Sequence, residues 1–286
     1  MDALFRHIAR CQTARLPGLR HRFLLGGIAA GWVMPDIAGR LCADPSIRDA
    51  HRDAQSGLDL IDPARLPWLA RDLADEGLFA WRGEAFDVRA AAGGAVLATV
   101  DRGALPMFGF GAEGVHVNGL VRRGGEVFLW VARRAMDRPL DPGKLDHIVA
   151  GGIAAGFTPA QTLIKEAAEE AAIPATLAAR ARAVAVIDYA MERAEGLRRD
   201  RLHCFDLFLP EDFKPRAADG EVAGFELWPL RAALDVLLAG DDFKFNVNLV
   251  LIDLFLRQGL IDPESGTGQR LRAALAGQAS DWEALP

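Results

Sequence analysis

The chain has 286 residues, 51% of them hydrophobic and 25% charged, which allows a sizeable buried core and room for two domains. A net charge of −6 argues against a broadly basic face for nucleic acid, though not against a small phosphorylated ligand held by a few arginines. No apolar run reaches the ~20 residues a membrane helix needs. Residues 1–22 carry five arginines in place of a secretory core segment. Cys11, Cys42 and Cys204 fit neither a zinc spacing nor a disulfide framework. The expectations are a cytoplasmic protein with no membrane and no nucleic-acid partner.

Leu4, Phe5, Ile8 and Ala9 recur at helical spacing and predict a helix over 1–14, stopped by Pro17-Gly18. Residues 21–33 read as a strand pair broken at Gly26-Gly27; no Gly-Lys-Ser/Thr follows, so they are not a phosphate loop. A short helix follows Pro35, and polar residues 43–63 read as loop. A helix over 63–76 and short strands within 79–104 complete a small α+β unit, residues 1–114. Its histidines, His7, His21 and His51, are isolated and read as structural.

Beyond the glycine-rich link 108–114 the pattern changes. Residues 115–123 and 126–134 are strands joined by Gly124-Gly125, a hairpin signal. A polar loop, 135–146, leads to an apolar entry at 147–150. Strands at 183–189, 202–209 and 221–228 and helices at 231–238 and 246–257 follow, as in a mixed sheet covered on both sides. Residues 263–286 read as a C-terminal helical tail. His203 and Cys204 are neighbours on a strand, so they face opposite ways and make a poor nucleophile pair.

The most informative stretch is 150–174, AGGIAAGFTPAQTLIKEAAEEAAIP. Thr158 can cap a helix, Pro159 suits its first position, and Gln161 completes a capping box. Pro174 stops the helix near Ala172. Leu163, Ile164, Ala167 and Ala171 form the stripe that meets a sheet. Glu166, Glu169 and Glu170 stand at i, i+3 and i+4 on one face. Their mutual repulsion turns favourable around a divalent cation, and carboxylate oxygens are what Mg²⁺ prefers.

This stretch resembles the Nudix box, with Gly152, Lys165-Glu166, Glu169-Glu170 and Ile173 as the match. Phe157 stands where the box has its loop glutamate, Lys165 replaces arginine, Ala172 replaces the last glycine, and the loop counts one residue short. With the flanking segments from about 115 to 260, the chain is similar to the Nudix part of fungal thiamine pyrophosphokinase fusions and to certain plant Nudix proteins. The resemblance implies an α/β/α sandwich with a mixed sheet at 115–262, behind the smaller domain.

It also implies a Mg²⁺-dependent hydrolase, Mn²⁺ serving as well, that cleaves a small organic diphosphate to a monophosphate. Thiamine diphosphate or its oxidised analogues are the implied substrates. Glu166, Glu169, Glu170 and the Gly152 carbonyl are the implied metal ligands, with Glu169 and Glu170 in the chemistry and Lys165 holding a box carboxylate. Within Asp219-Gly220-Glu221, Glu221 is the candidate base or extra ligand; an ordinary turn is the alternative. Arg133 and Lys144 precede the box and suit substrate phosphates, while Arg134 reads as an exposed strand end. Tyr189 is a candidate for stacking on a substrate ring; Trp130 reads as core. A homodimer stays open. The competing functions are a Nudix domain that only binds a ligand, and an isopentenyl-diphosphate-isomerase-like enzyme using Cys204.

Overall fold

The computed structural model describes residues 1–52, 55–218 and 220–276. Asp219 and the tail beyond residue 276 lie outside the described residues.

After α1 (Asp2–Arg10), β1 (His21–Leu25) and β2 (Ile28–Val33) pair antiparallel around Gly26-Gly27. Both glycines have positive φ, which is what the turn requires of them. α2 (Pro35–Leu41) follows. Next come β3 (Ile47–Arg52) and β4 (Gln55–Leu60), where loop was expected. The sheet order is β2-β1-β4-β3, so β3 is an edge strand. Its Arg48, Asp49 and Arg52 give no apolar alternation, which hid it in the sequence. α3 (Leu66–Asp75), the hairpin β5 (Ala85–Arg89) and β6 (Val96–Asp101), and α4 (Leu105–Phe108) close this unit. Its core is built on Phe23, Phe108 and Phe110, with ring centroids 5.0 to 5.9 Å apart.

The second unit begins with β7 (Gly111–Arg123) and β8 (Glu126–Arg134). β7 starts inside the expected glycine-rich link, so the strand crosses residue 114. β9 (Leu145–His147), β10 (Val149–Gly152), α5 (Pro159–Ala171) and α6 (Ala175–Ala178) follow. Then come β11 (Arg182–Arg193), β12 (Gly196–Phe208), β13 (Val222–Pro229), α7 (Leu230–Ala239), α8 (Val247–Arg257) and α9 (Gly266–Ala276).

The main sheet runs β11-β12-β7-β8-β13, with β10 added to β7 and β9 to β8. β12 is parallel to β7 and the other pairs are antiparallel, so the sheet is mixed. α5 packs Leu163, Ala167 and Ala171 on Val117, Val121, Trp130 and Ile148. Burying Leu163 alone contributes about 2 kcal/mol. The opposite face packs on α7 and α8, joined by Leu4, Ile8 and Cys11 of the N-terminal segment. The result is an α/β/α sandwich preceded by an α+β unit, with α1 reaching across into the sandwich.

Candidate active site

The site forms where α5 crosses the start of β10. The predicted capping box is present: the Gln161 backbone N–H donates to Thr158 Oγ1 at 3.3 Å, and Thr158 N–H donates to Gln161 Oε1 at 3.0 Å. At its other end Ala172 sits at φ 53°, a left-handed conformation. That conformation explains why a glycine suits the position, since alanine is strained there.

The three box glutamates have different surroundings. Glu170 is buried and accepts a hydrogen bond from the Ala150 backbone N–H at 2.8 Å. Burial first, then the charges of Asp146, Glu166 and Glu221, push its carboxyl well above the usual range, against the pull of the Ala150 N–H. Glu166 lies over Gly151, where an added Cβ would come within 2.5 Å of its side chain. Its carboxyl is also raised, by burial first, although Lys165 opposes the shift. Glu169 turns outward, its Oε2 accepting from Lys165 Nζ at 2.6 Å. Lys165 also reaches Glu166 at 3.1 Å, bridging the two as the box arginine would.

The glycine beneath Glu166 is therefore Gly151, and counting from it the loop has its full length; the expected shortfall came from starting at Gly152. Gly152 packs against Phe86 of β5. Its carbonyl is still well directed. Ile153 N–H donates to Glu113 O, so by antiparallel alternation the backbone groups of Gly152 and Ala150 face away from β7. That is the edge on which Glu170 meets Ala150.

Glu221 and Glu170 line one recess with Asp146, Arg134 and Ala150. It holds about 10 Å³, room for roughly one water-sized sphere. Glu221 is paired with Arg138 at 2.7 Å. Arg134, expected as an exposed strand end, is instead drawn inward: its Nη1 donates to Asp146 Oδ2 at 2.8 Å and its other nitrogens bond the carbonyls of Leu140 and Asp141. Asp146 was not foreseen. Burial opposes its ionisation, but Lys244 and Arg134 outweigh that and hold it down at about 2. Asp146 stands at the end of the stretch read as a polar loop, 135–146, where an aspartate gives no signal of its own. Behind Asp146, His116 Nδ1 and His147 Nδ1 stand 3.0 Å apart, both buried. Burial lowers both imidazoles, His147 to about 4.

A larger pocket of about 470 Å³ lies on the other face of the sheet, because Arg133 and Leu145 alternate with Ala132, Arg134 and Asp146 along β8 and β9 and the pocket is closed by Val236 of α7. Arg133, Lys144, Met136, Trp228 and Asp242 line it. Arg133 donates to the Gly143 carbonyl at 3.1 Å, and Lys144 Nζ donates to the carbonyl of Asp241. Tyr189 is not there. It is 2% exposed, its hydroxyl bonded to Asp200 and its ring edge-on to Phe245, so it does not meet a substrate. The Cys204 thiol is fully buried, and burial raises it, which removes the setting an active cysteine needs.

Glu170, Glu166, Glu221 and the Gly152 carbonyl offer the oxygen donors a hard divalent cation prefers, though the carboxylate oxygens stand further apart than the ligand atoms of His116, Asp146 and His147, which among the described residues lie within 4.8 Å of one another. The residues fit the group.

The NUDIX domain profile matches residues 112–248. Nudix hydrolase 20, chloroplastic, of Arabidopsis thaliana is 41% identical over 194 residues, 68% of this chain and 52% of that protein. Nudix hydrolase 24, chloroplastic, of the same plant is 42% identical over 64% of this chain and 50% of its own. The chain thus spans about half the length of these curated relatives. An uncharacterized protein of Saccharomyces cerevisiae is 30% identical over 77% of this chain and 67% of its own. The crystal structure of DR0079 from Deinococcus radiodurans aligns with a TM-score of 0.45 at 20% identity, covering 59% of this chain and 97% of that one. Among the described residues no helix is long and apolar enough to cross a membrane. By this profile and these relatives, residues 112–248 of the chain are a NUDIX domain.

Proposed function

We propose that the protein is a divalent-metal-dependent diphosphatase that splits a small organic diphosphate into a monophosphate and a second fragment. One observation carries the reading: Glu170 is buried among Asp146, Glu166 and Glu221, and whereas those three each have a cationic side chain in contact, Glu170 is held by the Ala150 backbone N–H, so a cation entering there is favoured.

Glu166, Glu170 and the Gly152 carbonyl would hold Mg²⁺ or Mn²⁺, with Glu169 available from the rim. Such an ion supplies charge neutralisation of the phosphoryl oxygens and a lowered water pKa. The chain's own groups do the rest. Arg133 and Lys144 put positive charge at the 470 Å³ pocket on the far side of β8 and β9, so they meet the part of the substrate that passes beyond these strands and not the phosphates at the metal. Trp228 and Met136 present apolar surface to the organic half. Glu221, beside the recess and in reach of one water, takes the proton from the attacking water. Arg134 and Lys244 keep Asp146 ionised, so it orders that corner and does not compete for the proton.

Thiamine diphosphate and its oxidised analogues remain the substrates of first choice, on the subfamily resemblance, and the three free cysteines suit a reducing cytoplasm. Phosphate or monophosphate release from a panel of diphosphates tests the reading. Mg²⁺-dependent turnover that disappears in Glu170→Gln supports it; tight binding of the panel without turnover of any member refutes it.

A further inference from the structure

We propose that the N-terminal domain is a positioning part of the metal site, acting through the β5–β6 hairpin and above all through Phe86. The inference rests on the metal-binding reading above.

The box loop, residues 153–157, is held largely by residues outside the sandwich. Ala155 N–H donates to Ala85 O at 2.8 Å, and Gly156 N–H donates to Asp87 Oδ2 at 3.2 Å. Asp87 is itself fixed by Arg89 at 2.8 Å. Beneath the loop, the Phe86 ring presses on Gly152: a Cβ there would lie 2.6 Å from Phe86 Cζ, so no larger residue fits unless the ring withdraws. Phe86 belongs to the buried core of the N-terminal domain and is 3% exposed, so it cannot withdraw freely. Arg102 covers its outer face, its guanidinium 5.6 Å from the ring centroid, and is tied to Glu84 at 2.9 Å.

These contacts converge on the backbone whose carbonyl is a candidate ligand. Phe86 lies against Gly152 on the face of β10 opposite Glu166, because Gly151 and Gly152 alternate across the strand. Strand β10 is thus gripped on both faces, by Glu166 of α5 at Gly151 and by Phe86 at Gly152, and the loop after it is held by Ala85 and Asp87. The loop's own candidate for this work, the residue at the box glutamate position, is Phe157, which carries no carboxylate and is 44% exposed. Asp87 supplies a carboxylate to the adjacent Gly156 from the other domain. Supporting groups around metal ligands typically change affinity 10- to 100-fold when removed.

The test is Mn²⁺ titration of the full chain, free Mn²⁺ being followed by electron paramagnetic resonance well below each variant's melting temperature. Phe86→Ala and Asp87→Ala should each weaken Mn²⁺ binding about tenfold or more. Gly152→Ala should do the same, and Phe86→Ala combined with Gly152→Ala should recover affinity relative to Gly152→Ala, because the ring that clashes is gone. A merely structural role for Phe86 predicts no such recovery. Wild-type affinity in folded Phe86→Ala, Asp87→Ala and Gly152→Ala overturns the proposal while leaving the metal reading intact. A wild-type protein that binds no Mn²⁺ overturns both. Should Phe86→Ala not fold, Asp87→Ala alone decides, since it removes one hydrogen bond to the loop and leaves the core unchanged.

Discussion

Glu170→Gln separates a metal-binding glutamate from a structural one by the sign of its effect. The amide has the volume of the carboxyl, and its oxygen can accept the Ala150 N–H bond now made at 2.8 Å. What disappears is a negative charge whose ionisation is opposed by burial and by Asp146, Glu166 and Glu221. In EDTA the variant is therefore expected to be as stable as the wild type or more so, by about 1 kcal/mol, because a buried carboxylate answered by one backbone N–H and facing other carboxylates is costly. In Mg²⁺ the order reverses. At a free concentration 100 times the dissociation constant, bound metal stabilises the wild type by about 2.7 kcal/mol. That corresponds to a rise of roughly 5 to 10 °C in melting temperature for a chain of this size. The variant should show little of this rise. Paired thermal melts at pH 7.5, in EDTA and in Mg²⁺, measure both effects. A variant several kcal/mol less stable in EDTA, or one that gains as much from Mg²⁺ as the wild type, refutes the reasoning.

Glu166→Gln should weaken Mg²⁺ about tenfold or more by calorimetry, and unchanged affinity removes Glu166 from the ligand set. His147 gives a pH dependence: its folded value is about 4 against 6.5 when unfolded. The unfolded chain therefore binds the proton first, and stability is complete above pH 6.5 and falls as pH drops toward 4. The gap is worth about 3 kcal/mol at 1.36 kcal/mol per pH unit. Urea midpoints at pH 7.5 and pH 5 should diverge less in His147→Phe than in the wild type; equal divergence counts against the assignment. Arg134→Gln leaves Asp146 buried with Lys244 as its remaining cation, and chemical denaturation should report a loss of about 2 to 4 kcal/mol. Ala172→Gly relieves a left-handed alanine and should raise stability by about 1 kcal/mol, whereas a fall in melting temperature would mean the helix end is unstrained.

Much of this was legible in the sequence where local chemistry decides structure. Thr158, Pro159 and Gln161 fixed the start of α5 because capping depends on neighbours alone. Gly124-Gly125 marked the β7–β8 hairpin for the same reason. The acidic spacing of α5 put Glu166 and Glu170 on one side, but it could not tell that Glu169 would turn to Lys165. That choice depends on what the sheet leaves uncovered. Tyr189 was misread because its burial comes from Asp200 and Phe245, the latter 56 residues away in sequence. Arg134 looked like an exposed strand end because its partner Asp146 arrives only when β9 pairs with β8. The hold of Phe86 on Gly152 crosses two units and leaves no periodic trace in either.

The most direct test of the metal account is anomalous scattering from crystals of the full chain grown with Mn²⁺. The expected result is a peak between the Glu170 and Glu166 carboxylates, within coordination distance of the Gly152 carbonyl and facing Glu221. A peak placed elsewhere, or none at saturating Mn²⁺ with Glu170 still bonded only to Ala150, contradicts it.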